Sequence, residues 1–159
     1  MASSSSSSSS GSFGSTKTTK CTYDDVNLLL RLYDMRREDR LRQARAWFAG
    51  KFRAATMDDF QKLCPPGSDE NASFRQVTSY WDMVASFINQ GVLNENLFFE
   101  NTRELLLAYI RIESILPGVR EAFKDPFYMS NLEAVAKRYA AWLEQRSPGT
   151  YTTFASRVK

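Results

Sequence analysis

The chain has 159 residues, a net charge of +3, 43% hydrophobic and 25% charged residues, which are ordinary values for one globular domain. Seven Gly and five Pro are too few for a turn-dense sandwich or barrel, and two Cys with no His exclude both a disulfide framework and a closed zinc site. The longest apolar run, Leu105 to Ile110, ends at Arg111, well short of the roughly 18 residues expected of a membrane-spanning segment.

Residues 1–22 open on an unbroken serine run, Ser3 to Ser10, and carry Lys17 and Lys20 without an acid. So little apolar surface cannot offset the entropy of ordering, so the segment reads as a disordered tail. The same composition also resembles a plastid transit peptide, which would replace the cytoplasmic location that two unpaired thiols otherwise suggest.

A single helical domain follows over 23–147. Thr22, with Asp24 and Asp25 behind it, starts a first helix that the spacing extends to Arg53. Val26, Leu29, Leu30, Tyr33, Leu41, Ala44, Trp47 and Phe48 recur at helical spacing, so the core should lie on that face. Thr56 and Asp59 form the signature of a reciprocal cap for a short second helix, which Cys64-Pro65-Pro66-Gly67 ends. A third helix runs from about Asp69 or Ala72 to Gln90, with Phe74, Val77, Trp81, Val84, Ala85 and Ile88 as its stripe and Gly91 beyond its end. Asn94 caps a short fourth segment. A fifth, about Thr102 to Leu116, is apolar over most of its circumference and belongs at the bundle centre. Pro117 ends or kinks it. Ser130 and Glu133 suggest a capped last helix to about Gln145, and Ser147-Pro148-Gly149 leaves 148–159 as a polar tail. The expected fold is all-α: an irregular antiparallel bundle of about four main helices plus short connecting helices.

No catalytic constellation is legible. Histidine, the commonest general acid–base group, is absent, and there is no phosphate-binding glycine loop or nucleophile elbow. No cofactor or metal is therefore expected. The positive charge is uneven: residues 1–53 hold 10 basic and 5 acidic residues, and residues 54–159 hold 11 and 13. On one continuous first helix, Arg31, Arg42, Arg45 and Arg53 gather opposite the apolar stripe; the plain reading is a solvated face with i,i+4 pairing, and the functional ones are a face for an acidic protein or membrane partner or for nucleic-acid phosphates. Arg37 falls inside the stripe. An arginine on a core face needs an acceptor, and Glu113, beside the apolar surface of the fifth helix, is the carboxylate assigned to it as a structural ion pair.

One stretch carries a likeness. Ser79-Tyr80-Trp81, then Ile88-Asn89-Gln90-Gly91-Val92-Leu93 leading to Asn94-Glu95-Asn96-Leu97-Phe98, then Ile115-Leu116-Pro117 with Arg120, and Tyr128 ahead of Asn131-Leu132-Glu133 resemble an uncharacterised bacterial all-α family, a domain of unknown function, over Val77 to Arg146. The resemblance implies a helical domain with no assigned activity and supplies no functional residues. Many relatives carry an N-terminal membrane helix, whereas a polar serine tract stands at this N-terminus. The functional expectation is a non-enzymatic helical interaction module that docks a protein partner or forms a homo-oligomer. The alternatives are nucleic-acid binding through the arginine-rich first helix and an enzyme whose site a partner completes.

Overall fold

Short polar side chains begin several helices where the sequence places them. In the computed structural model, which describes residues 20–159, Thr22 accepts from the Asp25 amide at 3.2 Å and Asp25 accepts from the Thr22 amide at 2.7 Å. This reciprocal cap starts α1 (Tyr23–Met35). Thr56 and Asp59 do the same for α3 (Met57–Leu63), and Ser68 caps α4 (Asp69–Asn89). Asn94 caps α5 (Glu95–Asn101), after Gly91 has turned the chain at φ 72°. The other elements are α2 (Asp39–Gly50), α6 (Glu104–Ile112), α7 (Leu116–Phe123), α8 (Ser130–Arg146) and α9 (Thr150–Val158). The described residues form an all-α bundle with no strand. The serine-rich tail lies, up to residue 19, outside the described residues.

The helix α4 packs against α2 and α8, and α6 packs against α4, α8 and α9. Leu105, Leu106 and Ala108 are fully buried, so the nearly all-apolar circumference of α6 does place it centrally. Aromatic rings fill two regions of the core. Phe48 and Phe52 stack at 4.8 Å and meet Phe74 and Phe60, while Phe99 stacks on Tyr139 at 4.2 Å beside Trp142. A close approach at Gly118 belongs to the same packing: a Cβ there would sit 2.3 Å from Met57 Cγ.

Three expectations are corrected. The long first helix is two helices, because Arg37 and Glu38 turn back onto the Asp34 and Met35 carbonyls and Glu38 then caps α2 through the Arg40 and Leu41 amides. Its apolar stripe therefore divides. Leu41, Ala44 and Phe48 on α2 are buried, whereas Val26, Leu30 and Tyr33 on α1 face solvent, and α1 packs inward through Leu28, Leu29 and Leu32.

The segment 148–159 is not a tail. Gly149 at φ 85° reverses the chain into α9, whose Tyr151, Phe154, Ala155 and Val158 pack on the core at helical spacing.

The start of α8 is not capped by Ser130 and Glu133. Met129 precedes it in a left-handed conformation, Asp82 of α4 accepts from the Leu132 amide at 2.9 Å, and Glu133 instead holds Arg120 and Lys137, each at 2.7 Å.

Candidate docking face on the first helix

Both ends of α1 are tied to the body. At its start, Asp25 is buried and its second oxygen accepts from the Asn94 amide at 2.6 Å. The bonds from Thr22 lead in holding this carboxyl below the ordinary aspartate range. At its end, the Leu32 carbonyl accepts from the Tyr80 hydroxyl at 2.7 Å. Arg36 lies over the Trp81 ring at 5.5 Å and donates to Thr102 at 3.2 Å. With Leu28, Leu29 and Leu32 inside, one face of α1 is left bare. Tyr23 is 79%, Val26 37%, Leu30 57% and Tyr33 52% exposed. These positions step by three, four and three residues, so they form one stripe on the helix. Single exposed apolar residues are common on surfaces; here four at helical spacing form one continuous stripe on a helix held at both ends. Tyr33 carries a guanidinium at each of two contacts, Arg36 at 5.0 Å and Arg37 at 6.0 Å from its centroid, which limits its motion.

The expected arginine face has a different geometry. Arg31 belongs to α1, Arg42 and Arg45 to α2, and Arg53 lies past the end of α2, so the single helix that aligned them is absent. Arg45 is turned inward: it donates to both oxygens of Glu104 at 2.5 Å and to the Arg36 carbonyl at 2.8 Å. Arg42 pairs with Asp39 at 2.8 Å, and Arg53 donates to the Phe52 carbonyl at 2.8 Å. Arg31 is exposed on α1.

Arg37 and Glu113 are not an ion pair. Both are exposed, and Arg37 sits in the turn that breaks the predicted helix, so it never reaches the core. The buried arginine is Arg111, 6% exposed. Its guanidinium donates to the carbonyls of Phe48 at 3.1 Å, Ala49 at 3.1 Å and Phe52 at 2.7 Å, and to that of Val158. It thereby takes up the unfilled carbonyls at the ends of α2 and α9. The sequence signal was its place between Ile110 and Ile112 in a helix apolar all round, which reads more naturally as the end of an apolar run.

Three adjoining concavities, about 630, 390 and 490 Å³, share Arg103 in their lining. Their charged groups largely satisfy one another: Arg45 binds Glu104, and Arg146 lies 3.6 Å from Glu100 and over Trp142 at 4.4 Å. The start of α9 beside them is filled by Glu144, which accepts from the Gly149, Tyr151 and Thr152 amides at 2.7, 2.9 and 3.3 Å. Among the described residues no group of His, Cys, Asp and Glu is placed to hold a metal ion, and no helix is long and apolar enough to cross a membrane.

The fold and this face define a small helical domain with a bare apolar stripe on its first helix. The chain belongs to the family described as Domain of unknown function (DUF4760), whose profile matches residues 22–139. The match takes in α1 to α3, which the resemblance beginning at Val77 leaves out, and stops before α9. No curated protein and no solved structure matches the chain.

Proposed function

We propose that this domain is a non-enzymatic helical interaction module that docks a protein surface through the outer face of α1. The observation that carries the reading is the exposure of Tyr23, Val26, Leu30 and Tyr33 on a helix anchored at both ends. A preorganised apolar stripe of this spacing is what helix-in-groove recognition uses, because the helix loses little freedom on binding. Two unpaired cysteines suit a reducing cytoplasm, the compartment this reading assumes. Nucleic-acid binding through Arg31, Arg42 and Arg53 draws less support, since Arg45 is committed to Glu104.

The test is a photoreactive phenylalanine derivative placed at Leu30, with exposed Gln43 as the control position, in the full chain inside cells. Discrete covalent adducts at position 30 and none at position 43 are expected. Equal, diffuse labelling at both positions, or no adduct at either, overturns the reading.

A further inference from the structure

We infer that the recess between α2, α6 and α9 binds a small amphiphilic anion of the alkyl phosphate class. Its head lies on Arg103 and Arg157, and its chain runs over Ala46, Ala49, Leu107 and Phe154. The site is separate from the α1 face and goes beyond the docking reading.

The head site follows from the periodicity of α9. Thr150, Thr153 and Arg157 step by three and four residues, so they share one side of the helix, next to the side that Tyr151 and Val158 turn to the core. That side lines the concavity of about 390 Å³, and Arg103, at the start of α6, lines it too. Both arginines are exposed. Among the described residues neither makes an ion pair, and no acid lines the concavity they share. The acids nearby are engaged: Glu104 holds Arg45 at 2.5 Å, Glu100 lies 3.6 Å from Arg146, and Glu144 holds the Gly149 and Tyr151 amides. Two like charges bordering one recess focus a positive potential in it, which draws in an anion. A phosphate monoester suits them better than a carboxylate does. It brings about two negative charges and three acceptor oxygens, enough for both guanidinium forks and the Thr150 and Thr153 hydroxyls.

The apolar floor begins where the head site ends. Arg103 lies over the Phe154 ring at 6.0 Å, and both also line the concavity of about 490 Å³, together with Ala46, Ala49 and Leu107. Ala46 and Ala49 are exposed on α2 and three residues apart, so they stand on one face and leave open the space that larger side chains would fill. Both volumes fall in the range of small-molecule sites, roughly 300–1,000 Å³. Because this floor is recessed rather than raised, it takes one chain at a time and offers nothing to insert into a bilayer.

The experiment is titration calorimetry of the full chain with decyl phosphate below its micelle concentration, beside inorganic phosphate. Decyl phosphate should bind tighter than inorganic phosphate by about tenfold or more, a factor that burial of two methylenes supplies. Arg103→Gln and Arg157→Gln should each weaken it about tenfold with an unchanged circular dichroism spectrum. Arg157 does not touch the core, so its variant reports on the site even where loss of Arg103 disturbs Phe154. Ala49→Gln, which fills the floor with a polar chain, should bring decyl phosphate toward the level of inorganic phosphate and leave the latter unchanged. Leu30→Glu, on the α1 stripe, should bind as the wild type does. The inference is overturned by a chain that does not bind decyl phosphate, by arginine variants that bind it as the wild type does, or by inorganic phosphate binding equally well. Loss of binding in Leu30→Glu would move the amphiphile to the α1 stripe and overturn it too. So would a chain that sediments with phosphatidylglycerol vesicles yet ignores decyl phosphate, because the cations would then serve a lipid surface.

Discussion

The guanidinium of Arg111 on α6 donates to the Phe52 carbonyl at 2.7 Å, across 59 residues of chain. Three more carbonyls, of Phe48, Ala49 and Val158, converge on the same buried group. Because this charge is met by backbone dipoles rather than a carboxylate, its planar fork is what matters. Arg111→Met should therefore cost about 3 kcal/mol or more, since it strands buried acceptors as well as removing charge-assisted bonds. Arg111→Lys should recover only part of the loss. Urea unfolding followed by circular dichroism measures both; a loss under about 1 kcal/mol for the Met variant would mean that water replaces the guanidinium.

Arg45 and Glu104 should couple. Their side chains are 24% and 23% exposed and joined by two bonds, so a double-mutant cycle of Arg45→Met and Glu104→Gln should return about 1 kcal/mol after allowance for solvent screening. The corresponding cycle of Arg37→Met and Glu113→Gln should be additive within about 0.3 kcal/mol, because those side chains are exposed and apart.

The two cysteines should differ in reactivity. Cys21 is exposed, while Cys64 is 2% exposed and burial pushes its thiol up to about 11. A disulfide exchange reagent at pH 8 should titrate one thiol in the native chain and two in denaturant. Rapid release of two equivalents without denaturant would show that the Cys64 region opens readily.

Acid should weaken the hold on α1. Asp25 is depressed in the folded chain, chiefly by its bonds from Thr22, as is Glu133 by its bonds from Lys137 and Arg120. A depressed carboxylate contributes stability that is present above the unfolded value of about 4 and is lost as pH falls through the lower folded value. The urea midpoint should thus decline below about pH 4, and Asp25→Asn should lessen that decline while lowering the midpoint at neutral pH. An Asp25→Asn profile parallel to the wild type would remove Asp25 from the account.

How much was legible in the sequence follows the range of each interaction. The all-α class, the capped starts of α1, α3 and α5, and the central place of α6 depend on neighbours within a few residues or on the periodicity of one helix, and all are readable along the chain. The break between α1 and α2 escaped because the stripe from Val26 to Phe48 continues in phase across it, and nothing local marks Glu38 as a cap rather than a mid-helix charge. Which half of that stripe is buried was decided by partners far away: Tyr80 and Asn94 hold α1 so that Leu28, Leu29 and Leu32 point inward. The same distance hides the ends of other helices. Asp82 closes the start of α8 from 50 residues away, and Arg111 closes the ends of α2 and α9. A helix end needs a partner for its free amides or carbonyls, but it is indifferent to where along the chain that partner lies. The sequence by itself determined the all-α class and most of the helical segments, though not α9 or the break between α1 and α2; the tertiary structure decided which faces and ends are satisfied from within, and so left the outer face of α1 uncovered.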